Sequence, residues 1–227
     1  NSSYNDNAYV GYMYGSTGQS SYANTHRNTN DSTIKGILDE WYEENIVRQN
    51  LTSYVSTEAG FCNDRRIATS SETWWTNDAK RGYGTHVTSY APWSRFLTTS
   101  GSYNTTSQTP TLECSQSNDL FTVSGSSKGN HKLTYPIGLI TSDEVVLAGG
   151  FGGSINTSYY LYTNQVYWTM SPYYFSGTYA GVFYVLSNGN FNDDGVHNTN
   201  GVRPVINLKA DVTISGSGTA TDPYLIS

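Results

Sequence analysis

The sequence predicts one α+β domain, with two helices, small twisted and mostly antiparallel sheets, and long loops. Three observations carry this. Charged residues make up only 13% of the chain, while Gly and Tyr number 22 and 20. That is the profile of a turn-rich extracellular domain with ample aromatic area to bury, not of a disordered chain. Apolar residues recur at three- and four-residue steps through Ile34, Ile37, Leu38 and Trp41, with Asn45 or Ile46 next, the spacing of an amphipathic helix. Elsewhere, short apolar or alternating runs are bounded by Gly, Ser, Thr and Asn, as strands in turn-rich sheets are.

Taken in order, Ala8 to Tyr14 alternate as a first strand would. Asn30 or Asp31 can cap the first helix, expected over about Ser32 to Arg48 with its apolar stripe against the sheet. From Leu51 to Leu120 the text is polar, and long loops pinned by Tyr54, Phe61, Trp74, Trp75, Tyr83, Tyr90, Trp93, Phe96 and Leu97 fit best. Within it, Arg65 and Arg66 could pair with buried carboxylates or face water, and the second reading is the safer. Leu120 to Val123, Lys132 to Tyr135 and Ile137 to Ile140 read as strands. Thr141-Ser142-Asp143-Glu144 then forms a capping box that opens a second helix, Ser142 to Ala148, stopped by Gly149 and Gly150. A terminal strand is expected at Tyr224 to Ile226.

At 227 residues, a single domain spanning 1–227 can hold a substantial core. A net charge of -6 with scattered Lys and Arg argues against nucleic acid as the partner. No apolar run approaches the ~18 residues that span a bilayer, so no membrane contact by this domain is expected. The chain starts at Asn1 without a leader, and removal of an upstream signal, anchor or domain is the expectation. Cys62 and Cys114 read either as one disulfide, favoured by the composition and the even count, or as two buried thiols. His26, His86, His131 and His197 match no ligand motif and are expected on loops or the surface. No nucleophile elbow, phosphate loop or dinucleotide fingerprint is present. Neither catalytic residues nor a cofactor is predicted.

The stretch Tyr167 to Leu208 stands apart. Trp168, Met170, Phe175, Phe183, Val185, Val205 and Leu208 look like anchors. Tyr173, Tyr174, Tyr179, Tyr184, Asn188, Asn190, Asn192, Asp193, Asp194, His197 and Asn198 look like a displayed set, with the chemistry of an antibody paratope: rigid amphipathic rings and small adaptable hydrogen-bonding groups. Asn188 to Gly195 could be read as a calcium loop, but it lacks the closing acidic residue, and Asn-Gly and Asp-Gly are strong hairpin signals. Strand parity predicts that Phe183 and Val185 pack under Trp168, while Tyr184, Leu186 and Asn188 join Tyr173, Tyr174 and Tyr179 in an exposed patch.

The order of helix, long loops, capped helix at TSDEVVLAGG, then YYLY, YWTMSP, VFYVLSNG and GVRPVINL resembles the C-type lectin fold of bacterial and phage variable proteins of diversity-generating retroelements. The formylglycine-generating enzymes share that fold. The resemblance implies N- and C-terminal strands side by side and a variable region at about 156–200. The displayed residues, together with Ser176 and Thr178, would vary, and Trp168, Met170, Pro172, Phe183, Val185, Gly201, Arg203 and Pro204 would be scaffold. It further implies a ligand-binding domain on a cell-surface, pilus-like or phage-tail protein, extracellular or on a virion, whose partner is a surface protein or glycan of another cell. The late cysteine pair of the enzymatic relatives and the calcium signatures of sugar-binding lectins are missing, so an oxidase is not expected.

Overall fold

The structure, a computed structural model, describes residues 3–19, 21–68, 84–219 and 221–226. Trp74, Trp75 and Tyr83, expected as loop anchors, lie outside these residues. A 3-10 turn, Asn7–Val10, precedes β1 (Met13–Tyr14), α1 (Tyr22–Thr25), β2 (Asn30–Asp31) and α2 (Thr33–Tyr42). There follow β3 (Phe61–Cys62), β4 (Thr88–Ser89), α3 (Ala91–Phe96), β5 (Leu120–Phe121) and α4 (Ser142–Leu147). The last third holds β6 (Phe151–Gly152), β7 (Tyr167–Phe175), β8 (Ala180–Val185), β9 (Asn190–Gly195), β10 (Ile214–Ser215) and β11 (Leu225–Ile226).

The central sheet has the order β4-β7-β8-β9-β6, antiparallel except for the parallel β6–β9 edge. The α+β expectation therefore holds, with mostly antiparallel pairing. Both faces of the sheet are covered. Trp168, Met170 and Val182 belong to one apolar cluster with Val10, Leu38, Tyr42 and Phe121, whereas Phe183, Val185 and Phe191 belong to another with Trp93, Phe96 and Val145. β7 is buried along its whole length. β1 pairs with β2 and β10 with β11, not the chain ends with each other as the resemblance implies; each is a two-residue strand joined to a near neighbour in sequence.

The predicted first strand is mostly a turn. Asp6 accepts the Ala8 N–H at 2.8 Å and the Gly18 N–H at 2.6 Å, and this cap closes Asn7–Val10 before the chain can extend at Met13. α2 starts on Ser32, whose hydroxyl accepts the Lys35 N–H, and continues through a wider turn over Glu43–Val47. Its buried residues are Lys35, Leu38, Tyr42 and Ile46, so the stripe is rotated from the expected one and Ile37 is exposed. Burial of Lys35 is tolerated because Asp39 at 2.7 Å and Asp31 at 3.2 Å neutralise its ammonium from one turn either side. The capping box forms as expected: Thr141 Oγ1 accepts the Glu144 N–H at 3.1 Å and Glu144 Oε2 accepts the Thr141 N–H at 2.8 Å. Two helices were expected, and four α-helices form among the described residues. α1 is a single turn, and α3 carries Pro92 in its first turn, a start signal overlooked among the surrounding Ser and Thr.

The expected strand at Leu120 is β5, whereas Lys132 to Tyr135 and Ile137 to Ile140 contribute only single bridges, Leu133 to Val123 and Gly138 to Val205. No helix of the described residues is long and apolar enough to cross a membrane. Cys62 and Cys114 form a disulfide across a sequence separation of 52. Closing a loop of that length restricts the unfolded chain, so Cys62→Ser/Cys114→Ser is expected to lose about 2–4 kcal/mol in urea titration. An unchanged midpoint would show that the strap adds nothing.

His26 departs from the surface expectation. It is 1% exposed, lies edge-on to Tyr22 at 4.2 Å between ring centroids, and neither ring nitrogen has a hydrogen-bond partner. Burial, then the nearby Arg65 charge, holds its pKa well below the ordinary 6.5. Below pH 6.5 the unfolded chain takes up a proton that the folded chain refuses, so stability falls as pH falls. His26→Phe removes this term. It should be more stable than the parent at pH 5 by about 1–2 kcal/mol beyond any difference at pH 7, and parallel pH–stability curves would refute the assignment.

Candidate functional site: a tyrosine-walled acidic face

The face is built on β7, β8 and β9. Register shifts on either side of Pro172 disrupt the alternation of β7. In consequence Tyr173 and Tyr174 are each 8% exposed and join the same cluster, correcting the expectation that both are displayed. Tyr173 stands edge-on to Phe183 at 4.8 Å, and Tyr174 edge-on to Tyr179 at 5.2 Å. The β7–β8 turn is held by Ser176, whose hydroxyl accepts the N–H groups of Thr178 and Tyr179. Thr178 is exposed and Ser176 and Tyr179 half-buried.

At the other end, Asn188-Gly189 makes the β8–β9 hairpin turn. Asn188 Oδ1 accepts the Asn190 N–H at 3.1 Å, and Gly189 has φ +79, where an added Cβ would run into the Asn156 carbonyl. The hairpin reading is realised at Asn188-Gly189 alone, because Asp194-Gly195 pairs with β8 inside β9. Asp193 opposes Phe183 and Asp194 opposes Val182. Adjacent residues on a strand address opposite faces, so the two carboxylates do not converge on one cation. Asp194 is held by Asn198 Nδ2 at 2.5 Å and Asn200 Nδ2 at 2.9 Å. Asn192 Oδ1 accepts from the Tyr103 hydroxyl at 3.1 Å, and Asn190 Oδ1 from the Gly153 N–H at 2.8 Å.

Parity also corrects the place of Tyr184. It pairs across the strands with Trp168, their rings 5.9 Å apart, and packs half-buried on the first cluster, whereas Phe183 faces away from Trp168. Val182 shares that side with Tyr184. The predicted residues therefore divide. Tyr173, Tyr174, Tyr179, Asp193 and His197 gather on the Phe183 side; Tyr184 and Asp194 belong to the opposite parity; Ser176 and Thr178 occupy one turn and Asn188 the other.

Gly181 and Gly195 face each other across β8 and β9 on the Phe183 side. Without side chains there, aromatic rings lie directly on the backbone: a Cβ on Gly181 would sit 3.2 Å from Tyr174 Cε1, and one on Gly195 2.7 Å from His197 Cε1 and 3.5 Å from Tyr179 Cδ2. Tyr4 stacks on exposed His197 at 4.1 Å, and its carbonyl accepts the Ala180 N–H at 2.7 Å. Tyr4 and Tyr103 belong to this face yet carry no local sequence signal, since each reaches it from a remote segment. Asp193 has its pKa pushed from 3.8 to about 6, chiefly by burial and further by Asp194. Burial first, and the nearby carboxylates after it, raise the pKa of Tyr103, Tyr173, Tyr179 and Tyr184. No group of His, Cys, Asp and Glu among the described residues is arranged to hold a metal ion.

No family model matches the chain, and neither a curated protein nor a solved structure matches it.

Proposed function

We propose that the protein is a ligand-binding display domain of C-type lectin type, akin to the variable proteins of diversity-generating retroelements. It would be carried outside the cell on a surface protein, a pilus-like fibre or a phage tail, and would bind a surface protein or glycan of another cell. The observation that carries the reading is the contrast within β8–β9 and its turns. Phe183, Val185 and Phe191 are sealed in the core, while Ser176, Thr178, Tyr179, Tyr184, Asn188, Asn190, Asn192, Asp193, Asp194, His197 and Asn198 keep accessible surface on the same frame. A rigid support with small, amphipathic and exchangeable groups on top is what a paratope requires. The capped α4, the mostly antiparallel sheet and the irregular disulfide-tied stretch before it accord with the lectin-type architecture.

The reading is tested by deep sequencing of the gene across a population. Substitutions confined to adenine-bearing codons of those eleven positions, with Trp168, Phe183, Val185 and Pro204 silent, are expected; a uniform spread would overturn it. Tyr173 and Tyr174 should vary less than the eleven, because changes there also disturb the core.

A further inference from the structure

Resting on that reading, we infer that the Phe183 side of the face receives an arginine side chain of a partner protein, its guanidinium seated on Asp193 and against the ring of Tyr179. Three observations point to this occupant. First, Asp193 is a partly buried carboxylate with no ion pair to a described residue, and no Lys or Arg occurs anywhere between Lys132 and Arg203 in the sequence. By contrast Arg65, Arg95 and Lys35 are each matched to carboxylates elsewhere in the fold. The strands of the face thus supply negative charge that no described Lys or Arg neutralises. Second, the surroundings of Asp193 are rings: Tyr173 on the neighbouring Phe183, Tyr174 and Tyr179 over the paired glycines, and His197 beside them. A flat, weakly hydrated cation gains from ring faces and from a carboxylate together, and the planar guanidinium fits that combination better than a compact ammonium. Third, desolvation makes the carboxylate costly while it is alone, so a cation that neutralises it gains more here than at a solvated acid.

A phage-displayed library of random heptapeptides, selected on the immobilised parent, Asp193→Asn and Tyr179→Leu, tests the inference. Asp193→Asn keeps the shape and removes the charge; Tyr179→Leu keeps the charge and removes the ring; thermal melts establish that each variant is folded. The parent is expected to enrich arginine at one peptide position by roughly tenfold or more. Both variants should lose most of that enrichment while retaining any neutral consensus. Arginine enrichment unchanged in Asp193→Asn overturns the inference, as does a parent that selects only neutral or acidic peptides, or that binds neutral oligosaccharides on a glycan array and no peptide. In the last two cases the display reading stands. A parent that selects nothing from either library counts against both.

Discussion

Asp119→Ala is expected to destabilise the domain by about 3–5 kcal/mol, more than any surface change in this chain, because it strands a buried cation. Arg65 has no exposure and Asp119 is 1% exposed. One carboxylate oxygen of Asp119 takes Arg65 Nη2 at 2.7 Å and Nε at 2.8 Å, while the other accepts the Arg65 backbone N–H at 2.7 Å. The guanidinium also donates to the Met13 carbonyl and to Asn28 Oδ1, each at 2.9 Å. It therefore ties β1, the Asn28 bend, the segment after β3 and the turn before β5 at one point. Deleting the carboxylate leaves the charge in place with two neutral acceptors, which do not offset its desolvation. Arg65→Met/Asp119→Leu should recover much of the loss, since an apolar pair requires no compensation. Urea titrations of the parent, the single variant and the pair measure this. A loss below about 1 kcal/mol for Asp119→Ala would show the pair to be solvated.

That ion pair also marks where sequence reasoning runs out. Signals that act within a few residues were legible: the capping box of α4 and the Asn188-Gly189 turn each satisfy backbone groups locally, whereas the cap of α2, expected from Asn30 or Asp31, is supplied by Ser32. The disulfide, which spans 52 positions, was favoured instead by the composition and the even cysteine count. Arg65 and Asp119, 54 positions apart, become partners only after the fold closes, and isolated arginines more often face water. The buried His26 is hidden in the same way. At the candidate face, the Asn and Asp residues of β9 were expected in hairpin turns, and only Asn188-Gly189 is one, the rest forming a strand. Tyr173 and Tyr174 carry the chemistry of displayed residues, but the register shifts around Pro172, which no short run of letters announces, put both into one cluster. The stacking of Tyr4 on His197 joins opposite ends of the chain and has no local trace.

The strand parity of β8 yields the other large effect. Phe183→Ser should cost the domain about 3–5 kcal/mol or unfold it, whereas Tyr184→Ser, one residue on, should cost about 1 kcal/mol. Phe183 has no exposure, and its ring meets Tyr173 at 4.8 Å, Phe191 at 5.6 Å and Phe96 at 5.7 Å. Removing it opens a cavity among three rings from β7, β9 and α3 and leaves a hydroxyl inside with no water to bond. Tyr184 lies on the opposite side of the strand, half-buried beside Trp168, so its loss uncovers part of one ring while solvent fills the space. Neighbouring positions with opposite consequences are a property of a regular strand; if β8 were twisted out of register, both would be intermediate. Thermal melts of the two variants decide it. Equal destabilisation would mean that Tyr184, not only Phe183, is part of the closed core, and the face would then have to be redrawn around Tyr179, Asp193 and the two turns.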